Sequence, residues 1–378
     1  MTILANGRVV TPTGIVEAGW VKVVDDLIGA VGFDSTDKQV DVDLNGRTLI
    51  PGFVDQHSHG GGGYSFITTD PDDARRAANL HAQHGTTSIV ASLVSSSHPS
   101  LLEQIAVLSP LVDEGVLVGI HLEGPWISKA RCGAHDVGQL RDPQPAEVDE
   151  LLARGGGRII MVTIAPELNG ALPAIRKIVG AGALAAIGHS DADYETTVAA
   201  INAGATVATH VTNAARPLHH RDPGVTGALL ADPRVNLELI ADGTHVHEVV
   251  LRLIAQQAGI ERISLITDAM AAAGGADGRY LLGGLGVDVV AGVARLVDGG
   301  AIAGSTLTMD VALRFMTRTV GLPLAEVVAM LSTNPARVLG LADRGAIEVG
   351  KRADLVILGP DLEVDAVMRS GQWVTGGQ

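Results

Sequence analysis

His57 and His59 stand two residues apart at the end of the apolar stretch Pro51-Gly52-Phe53-Val54-Asp55-Gln56-His57-Ser58-His59-Gly60. In an extended strand, residues i and i+2 point to the same face, so both imidazoles can grip one metal ion. Alone, a His-x-His pair is as readily part of a surface turn. Further along, His121-Leu122-Glu123-Gly124-Pro125, Gly188-His189-Ser190, Thr209-His210-Val211-Thr212-Asn213 and Thr267-Asp268-Ala269 place Glu123, His189, His210 and Asp268 behind short apolar runs of their own. Each has a bland reading too: a helix-capping or surface carboxylate for Glu123 and Asp268, a satisfied core imidazole for His189 and His210. Together, four imidazoles and two carboxylates form a donor set suited to zinc and similar divalent ions. Six donors exceed the needs of one tetrahedral ion. His57, His59 and Asp268 are therefore assigned to one ion and His189 and His210 to a second, with Glu123 bridging. Such an ion acidifies water and polarises a carbonyl. A carboxylate such as Asp268 beside that water can take its proton and return it to a leaving amine. Hydrolysis of an amide or related bond is the expected reaction class.

Elements that would position these residues are visible in the hydrophobic pattern. Eight apolar runs, Leu49–His57, Thr86–Val94, Val116–Glu123, Ile159–Ala165, Ala183–His189, Thr206–Asn213, Val235–Ala241 and Ile263–Asp268, read as strands. Stretches of helical periodicity lie between several of them, at Asp72–His84, Leu101–Val112, Ala146–Arg154, Tyr194–Ala203 and Glu248–Ala258. Alternating strands and helices imply parallel strands with helical crossovers, and eight units imply a closed (β/α)8 barrel. His57, His59, Glu123, Glu167, His189, His210, Asp242 and Asp268 all fall at or just beyond the carboxyl ends of these runs, the face where such barrels carry their active sites. Glu167 is expected to brace the metal site or to cap a turn. Residues 1–48 and 346–378 instead show short alternating runs broken by Gly, Pro and Asp, which predicts a small β-sandwich built from both ends of the chain. The barrel is expected over 49–345.

Composition narrows the function classes. With 378 residues, 46% of them hydrophobic, and 47 glycines, the chain suits a large α/β enzyme with many tight turns. A net charge of −15 argues against nucleic acid and against anionic membrane surfaces as partners. Cys132 is the single cysteine, which excludes an intramolecular disulfide framework and fits a cytoplasmic protein. No signal peptide is evident, and no uncharged apolar run approaches the roughly 18–20 residues that span a bilayer.

The strand-end motifs, together with Gly133-Ala134-His135, His220-Arg221-Asp222-Pro223-Gly224, Ala241-Asp242-Gly243-Thr244-His245 and Ala303-Gly304-Ser305-Thr306-Leu307-Thr308-Met309, resemble the amidohydrolase superfamily. Within it, the resemblance over essentially the whole chain is to the N-acetylglucosamine-6-phosphate deacetylase family. It implies removal of the acetyl group from the sugar 2-amine, giving glucosamine 6-phosphate and acetate. It also implies that Glu123, His189 and His210 are core metal ligands and that Asp268 is the catalytic acid/base. Ala134, His135, Asn213, Ala214, Arg221 and His245 match positions that hold substrate, and Ile302, Ala303 and Gly304 match a substrate-lining loop. Arg221 and His245 correspond to phosphate contacts. The arginine is similar to one donated across a dimer interface, so a homodimer is expected. Members that lack the His-x-His pair work with one metal; its presence here favours two. Other superfamily members bridge their metals with a carboxylated lysine, but none of the five lysines here ends a strand, and Glu123 takes that part. Cys132 precedes Gly133 on a loop expected over the site, as a modulator or as a bystander thiol. His219 and His220 would add to the phosphate site or simply be solvated. The alternatives are an N-acetylgalactosamine-6-phosphate deacetylase, a cyclic amidase or deaminase, or an inert scaffold, which missing ligands would mark.

Overall fold

The computed structural model describes residues 1–33 and 39–376; of the five lysines, Lys38 lies outside them. Eight strands form one parallel sheet in sequence order: β1 (Phe53–Ser58), β2 (Thr86–Val94), β3 (Gly119–Glu123), β4 (Ile159–Ile164), β5 (Leu184–Ile187), β6 (Val207–Ala208), β7 (Asn236–Ile240) and β8 (Ile263–Ile266). Each begins within a few residues of an expected run. Parallel strands need long crossovers, and helices supply most of them, among them Pro71–Gln83, His98–Asp113, Pro145–Gly155, Tyr194–Asn202 and Glu248–Ala258. Their ends follow local chemistry. Ser97 and Asp193 cap helix N-termini by accepting from the Ser100 and Thr196 amides, and Pro145–Gly155 stops where Gly156 turns left-handed at φ 55°.

Two features were not expected from the pattern. The run Leu49–His57 divides at Gly52. Thr48–Pro51 pairs antiparallel with Leu355–Leu358 and parallel with Thr2–Thr11, while β1 starts the barrel. Gly52 is required at the junction, since a Cβ there would sit 2.2 Å from the Thr87 hydroxyl. After β8, Gly278–Leu282, Leu285–Val290 and Val293–Leu296 form a separate three-stranded antiparallel sheet. It packs Leu282, Val287, Val289 and Ala294 against Val94, Met270 and Ala303.

Strands of both ends of the chain form a separate eight-stranded sheet in the order Gln372–Thr375, Val364–Arg369, Leu355–Leu358, Thr48–Pro51, Thr2–Thr11, Gly14–Val24, Leu27–Gly32, with Val42–Asp43 beside Thr2–Thr11. Its core comprises Leu4, Val9, Val21, Ile28, Leu49, Leu355, Ile357 and Met368, each at most 2% exposed. The chain falls into two compact units, one of Met1–Asp55, Asn79–Ser88 and Thr308–Gln378 and one of Gln56–Ala78 and Ile89–Leu307.

In the first unit Asp310 opens the helix Met309–Arg314 and is nearly buried. It accepts from the Thr308 hydroxyl at 2.6 Å and lies 3.2 Å from His84 Nδ1 and 3.0 Å from Arg314 Nη2. Burial opposes its ionisation, but His84, Thr308 and Arg314 prevail and hold the carboxyl down at about 2, against a usual 3.8. A depressed carboxyl contributes stability above its unfolded pKa, and that contribution fades as pH falls through the folded one. Replacing Asp310 by Asn is therefore expected to cost roughly 2 kcal/mol at neutral pH. Urea melts should show the difference from wild type shrinking steadily as pH drops from about 4 towards 2.

Candidate metal centre

The barrel closes where its first strand meets the residues after its last. The Asp268 amide donates to the His57 carbonyl at 2.9 Å, the His59 amide to the Ala269 carbonyl at 2.7 Å, and Ser58 and Ala269 form a parallel bridge. Residues far apart in sequence thus become neighbours: His59 Nε2 lies 3.1 Å and His57 Nε2 3.5 Å from Asp268 Oδ1. Three of these strand-end residues, His189, His210 and Asp268, have left-handed backbones, with φ of 47°, 28° and 48°. Side chains other than glycine rarely adopt such angles, and they persist where the surrounding structure over-determines them.

Glu123 ends β3 at the centre of this group, and its two oxygens face different partners. Oε1 lies 3.0 Å from His189 Nε2 and 2.9 Å from His210 Nε2. Oε2 lies 3.1 Å from His59 Nε2, 3.4 Å from His135 Nε2 and 3.6 Å from His57 Nε2. Behind the rings, acceptors hold the Nδ1 atoms: Glu238 Oε2 for His57 at 3.2 Å, the Ser92 carbonyl for His59 at 3.1 Å, and the Arg131 carbonyl for His189 at 2.8 Å. An Nδ1 facing an acceptor carries the proton, so the Nε2 lone pair is what each ring turns towards Glu123 or Asp268. Lone pairs aimed at carboxylates repel unless a cation stands between them.

The residues therefore fit a divalent metal. Donor atoms of His57, His59, Glu123 and Asp268 all lie within 4.8 Å of one another. Among protons alone, the same demand falls on the imidazoles. Burial works against charge on His59, but Asp268 and Glu123 outweigh it and raise the ring to about 9. The His57 ring is likewise raised against its burial by Glu123 and Asp268. Burial disfavours both carboxylates, yet His57 and its fellow imidazoles drive Glu123 and Asp268 well below the usual range.

His135 differs, although its Nε2 also lies near Glu123. Its Nδ1 accepts the Ser95 backbone N–H at 3.2 Å. A neutral ring with an accepting Nδ1 carries its proton on Nε2, and burial keeps this one neutral by lowering it to about 4. His135 is thus a hydrogen-bond donor in the pocket, a role suited to a carbonyl oxygen.

A cavity of about 370 Å³ opens over these groups. Of the residues expected to hold substrate, Ala134, His135, Asn213, Ala214, His245, Ile302 and Gly304 line it. Asn213 Nδ2 is buried there without a hydrogen-bond partner. His245 Nδ1 lies 2.7 Å from Asp242 Oδ2, and Asp242 also accepts the Thr244 and His245 amides at 2.8 Å. Burial opposes charge on His245, but Asp242 prevails and raises it. Glu167 braces the loop behind His189, accepting from the Ser190 hydroxyl at 2.8 Å and the Asp191 amide at 2.7 Å.

Three expected residues lie elsewhere. Ala303 is fully buried in the core of the three-stranded sheet, between two residues of the cavity wall. Arg221 is exposed and away from this cavity, its Nη1 2.7 Å from His220 Nε2, with the His219 and His220 rings 4.1 Å apart. Cys132 is half-buried between the cavity residues Arg131 and Gly133 without lining the cavity itself. Sequence reasoning missed Leu282 of the added sheet, the Ser92 carbonyl and, above all, Glu238. A lone carboxylate inside the apolar strand Asn236-Leu237-Glu238-Leu239-Ile240 was the available signal.

Because both Glu123 oxygens engage imidazoles on both sides, Glu123→Gln should lower divalent-metal affinity by roughly tenfold or more. Elemental analysis after equilibrium dialysis would read this, and metal content equal to wild type would remove Glu123 from the ligand set.

Residues 48–374 match the model of the amidohydrolase family. The N-acetyl-D-glucosamine-6-phosphate deacetylase of Mycobacterium smegmatis, solved as a variant in complex with N-acetyl-D-glucosamine-6-phosphate, superposes with a TM-score of 0.97 and is 48% identical, with 99% of each chain covered. The N-acetylgalactosamine-6-phosphate deacetylase of Escherichia coli O157:H7 is 38% identical, over 98% of each chain. The N-acetylglucosamine-6-phosphate deacetylase of Lysinibacillus sphaericus is 34% identical, over 98% of this chain and 97% of its own. The chain belongs to the amidohydrolase family and, within it, to the N-acetylglucosamine-6-phosphate deacetylases.

Proposed function

We propose that this protein hydrolyses the acetamide of N-acetylglucosamine 6-phosphate to glucosamine 6-phosphate and acetate, in amino-sugar metabolism and cell-wall recycling in the cytoplasm. The observation that carries the reading is Glu123, whose two oxygens divide the surrounding imidazoles into two sets within a cavity that also holds Asp268. Two Zn²⁺ ions suit this donor set, one on His57, His59 and Asp268, the other on His189 and His210, with Glu123 shared. Bound there, a divalent ion supplies Lewis acidity towards the acetamide oxygen and acidifies water.

The chain's own groups do the rest. Asp268, held as a carboxylate, takes a proton as water adds to the acetamide carbon. It returns that proton to the nitrogen as the C–N bond breaks, so the amine leaves neutral with acetic acid, which gives its own proton to solvent and becomes acetate. His135 donates from Nε2 to the developing oxyanion, and Asn213 Nδ2 offers its unpartnered donor to the sugar. His245, which Asp242 biases towards its charged form, meets the phosphate within the cavity. Arg221, exposed and outside its own subunit's cavity, suits donation to a second copy in a homodimer, where its fork would complete the phosphate contact. An enzyme of net charge −15 needs such local cations to hold a dianion.

The test is acetate release by metal-replete protein from N-acetylglucosamine 6-phosphate, its galacto epimer and unphosphorylated N-acetylglucosamine. The phosphorylated gluco substrate is expected to turn over best, and Asp268→Asn should lower kcat by about 10²–10⁴. Preference for the galacto epimer would instead favour the activity named for the Escherichia coli relative. No release from any of the three would reject the deacetylase reading. Arg221→Ala should raise KM for the phosphorylated sugar by roughly tenfold or more while kcat changes little.

A further inference from the structure

We infer that Glu238 is the positioning residue of the candidate metal centre, the buried carboxylate that fixes the His57 ring and makes it a strong ligand. The inference rests on the metal-site reading above. Glu238 lies mid-strand in β7 and is completely buried. A carboxylate in such a place is costly unless its oxygens are engaged, and both are. Oε1 accepts from Gln56 Nε2 at 2.7 Å; Oε2 lies 3.2 Å from His57 Nδ1 and 3.4 Å from the His210 amide. One side chain therefore reaches the residue before the His-x-His pair, the first histidine of that pair, and the backbone of His210 on the adjoining strand end.

A carboxylate behind a ligating imidazole does two things. It holds the proton on Nδ1, which leaves the Nε2 lone pair free, and it makes that lone pair a better donor. The His57 ring is held from another direction by His121, whose ring meets it edge-on with centroids 4.6 Å apart. His121 is itself tied to the Ser92 hydroxyl at 3.0 Å and the Thr163 hydroxyl at 2.8 Å. The His121 contact restricts ring position; the Glu238 Oε2 contact places the proton on Nδ1. His59 and His189 rely on backbone carbonyls for this purpose. His57 alone of the three takes a full negative charge behind it.

Glu238→Gln tests the charge while keeping the shape. The Gln56 Oε1 atom has no hydrogen-bond partner, so a turned Gln56 amide can accept from the new side-chain NH₂ and the hydrogen bond between the two side chains is kept. Chelator-stripped full-length wild type and variant would be titrated with Co²⁺, read both by its visible absorption and by competition with an indicator chelator. The expected result is a loss of roughly 10–100-fold in Co²⁺ affinity with an altered absorption spectrum, and little change in the melting temperature of the metal-free protein. Unchanged affinity and spectrum in the variant, with a lower melting temperature, would mean a purely structural role and overturn the inference alone. Wild type that takes up no Co²⁺ would overturn the metal-site reading and this inference with it. If Glu238→Gln fails to fold, ¹⁵N spectra of the histidine rings in Zn²⁺-loaded wild type decide the matter. His57, assigned by loss of its signal in His57→Gln, must show a protonated Nδ1 and a metallated Nε2; the reverse would overturn the inference.

Discussion

The backbone bridge that closes the barrel, from the His57 carbonyl to the Asp268 amide and from the Ala269 carbonyl to the His59 amide, is the constraint on which the site depends. A parallel barrel has no free edge only if its first and last strands meet. Here they meet at the residues that carry the chemistry, so completing the fold and assembling the His57, His59 and Asp268 group are one event. Left-handed angles at His189, His210 and Asp268 mark where the chain leaves regular strand geometry to aim these side chains inward.

Electrostatics explains why so many polar groups tolerate burial. Glu123, Asp268 and Glu238 are carboxylates in the barrel interior, and His57, His59 and His189 have turned their protons outwards to acceptors. What remains in the middle is a shell of lone pairs and negative charge, which only cations can satisfy. The same logic sets His135 apart. Its Nδ1 receives a backbone N–H, so its proton points into the cavity, and a ring with the same neighbours becomes a donor. Proton placement behind each ring, more than distance to Glu123, separates candidate ligand from candidate substrate contact.

Much of this was legible in the sequence. Each of the eight barrel strands arises from a run that periodicity identified, because a strand in a parallel barrel is buried on both faces and reads as nearly continuous apolar residues. Strand-end placement then identified His57, His59, Glu123, His189, His210 and Asp268 as neighbours before any distance was known. Helices at Ala171–Gly180 and Gly224–Ala231 were less legible, the second being apolar almost all round. The strands Gly278–Leu282, Leu285–Val290 and Val293–Leu296 carry many exposed positions and glycine turns, so they resembled loops.

Sequence by itself determined the residue types and their order along the barrel, and with them the donor set and the face on which it sits. These follow from hydrophobic period and strand polarity, which are local properties. The tertiary structure alone decided which oxygen of Glu123 serves which imidazoles, which nitrogen holds the proton on His57, His59, His189 and His135, and that Glu238 stands behind His57. It also decided that Ala303 packs into a core while Ile302 and Gly304 face the cavity. Such choices depend on contacts between strands far apart in sequence, 181 residues for His57 and Glu238, and no local pattern encodes them.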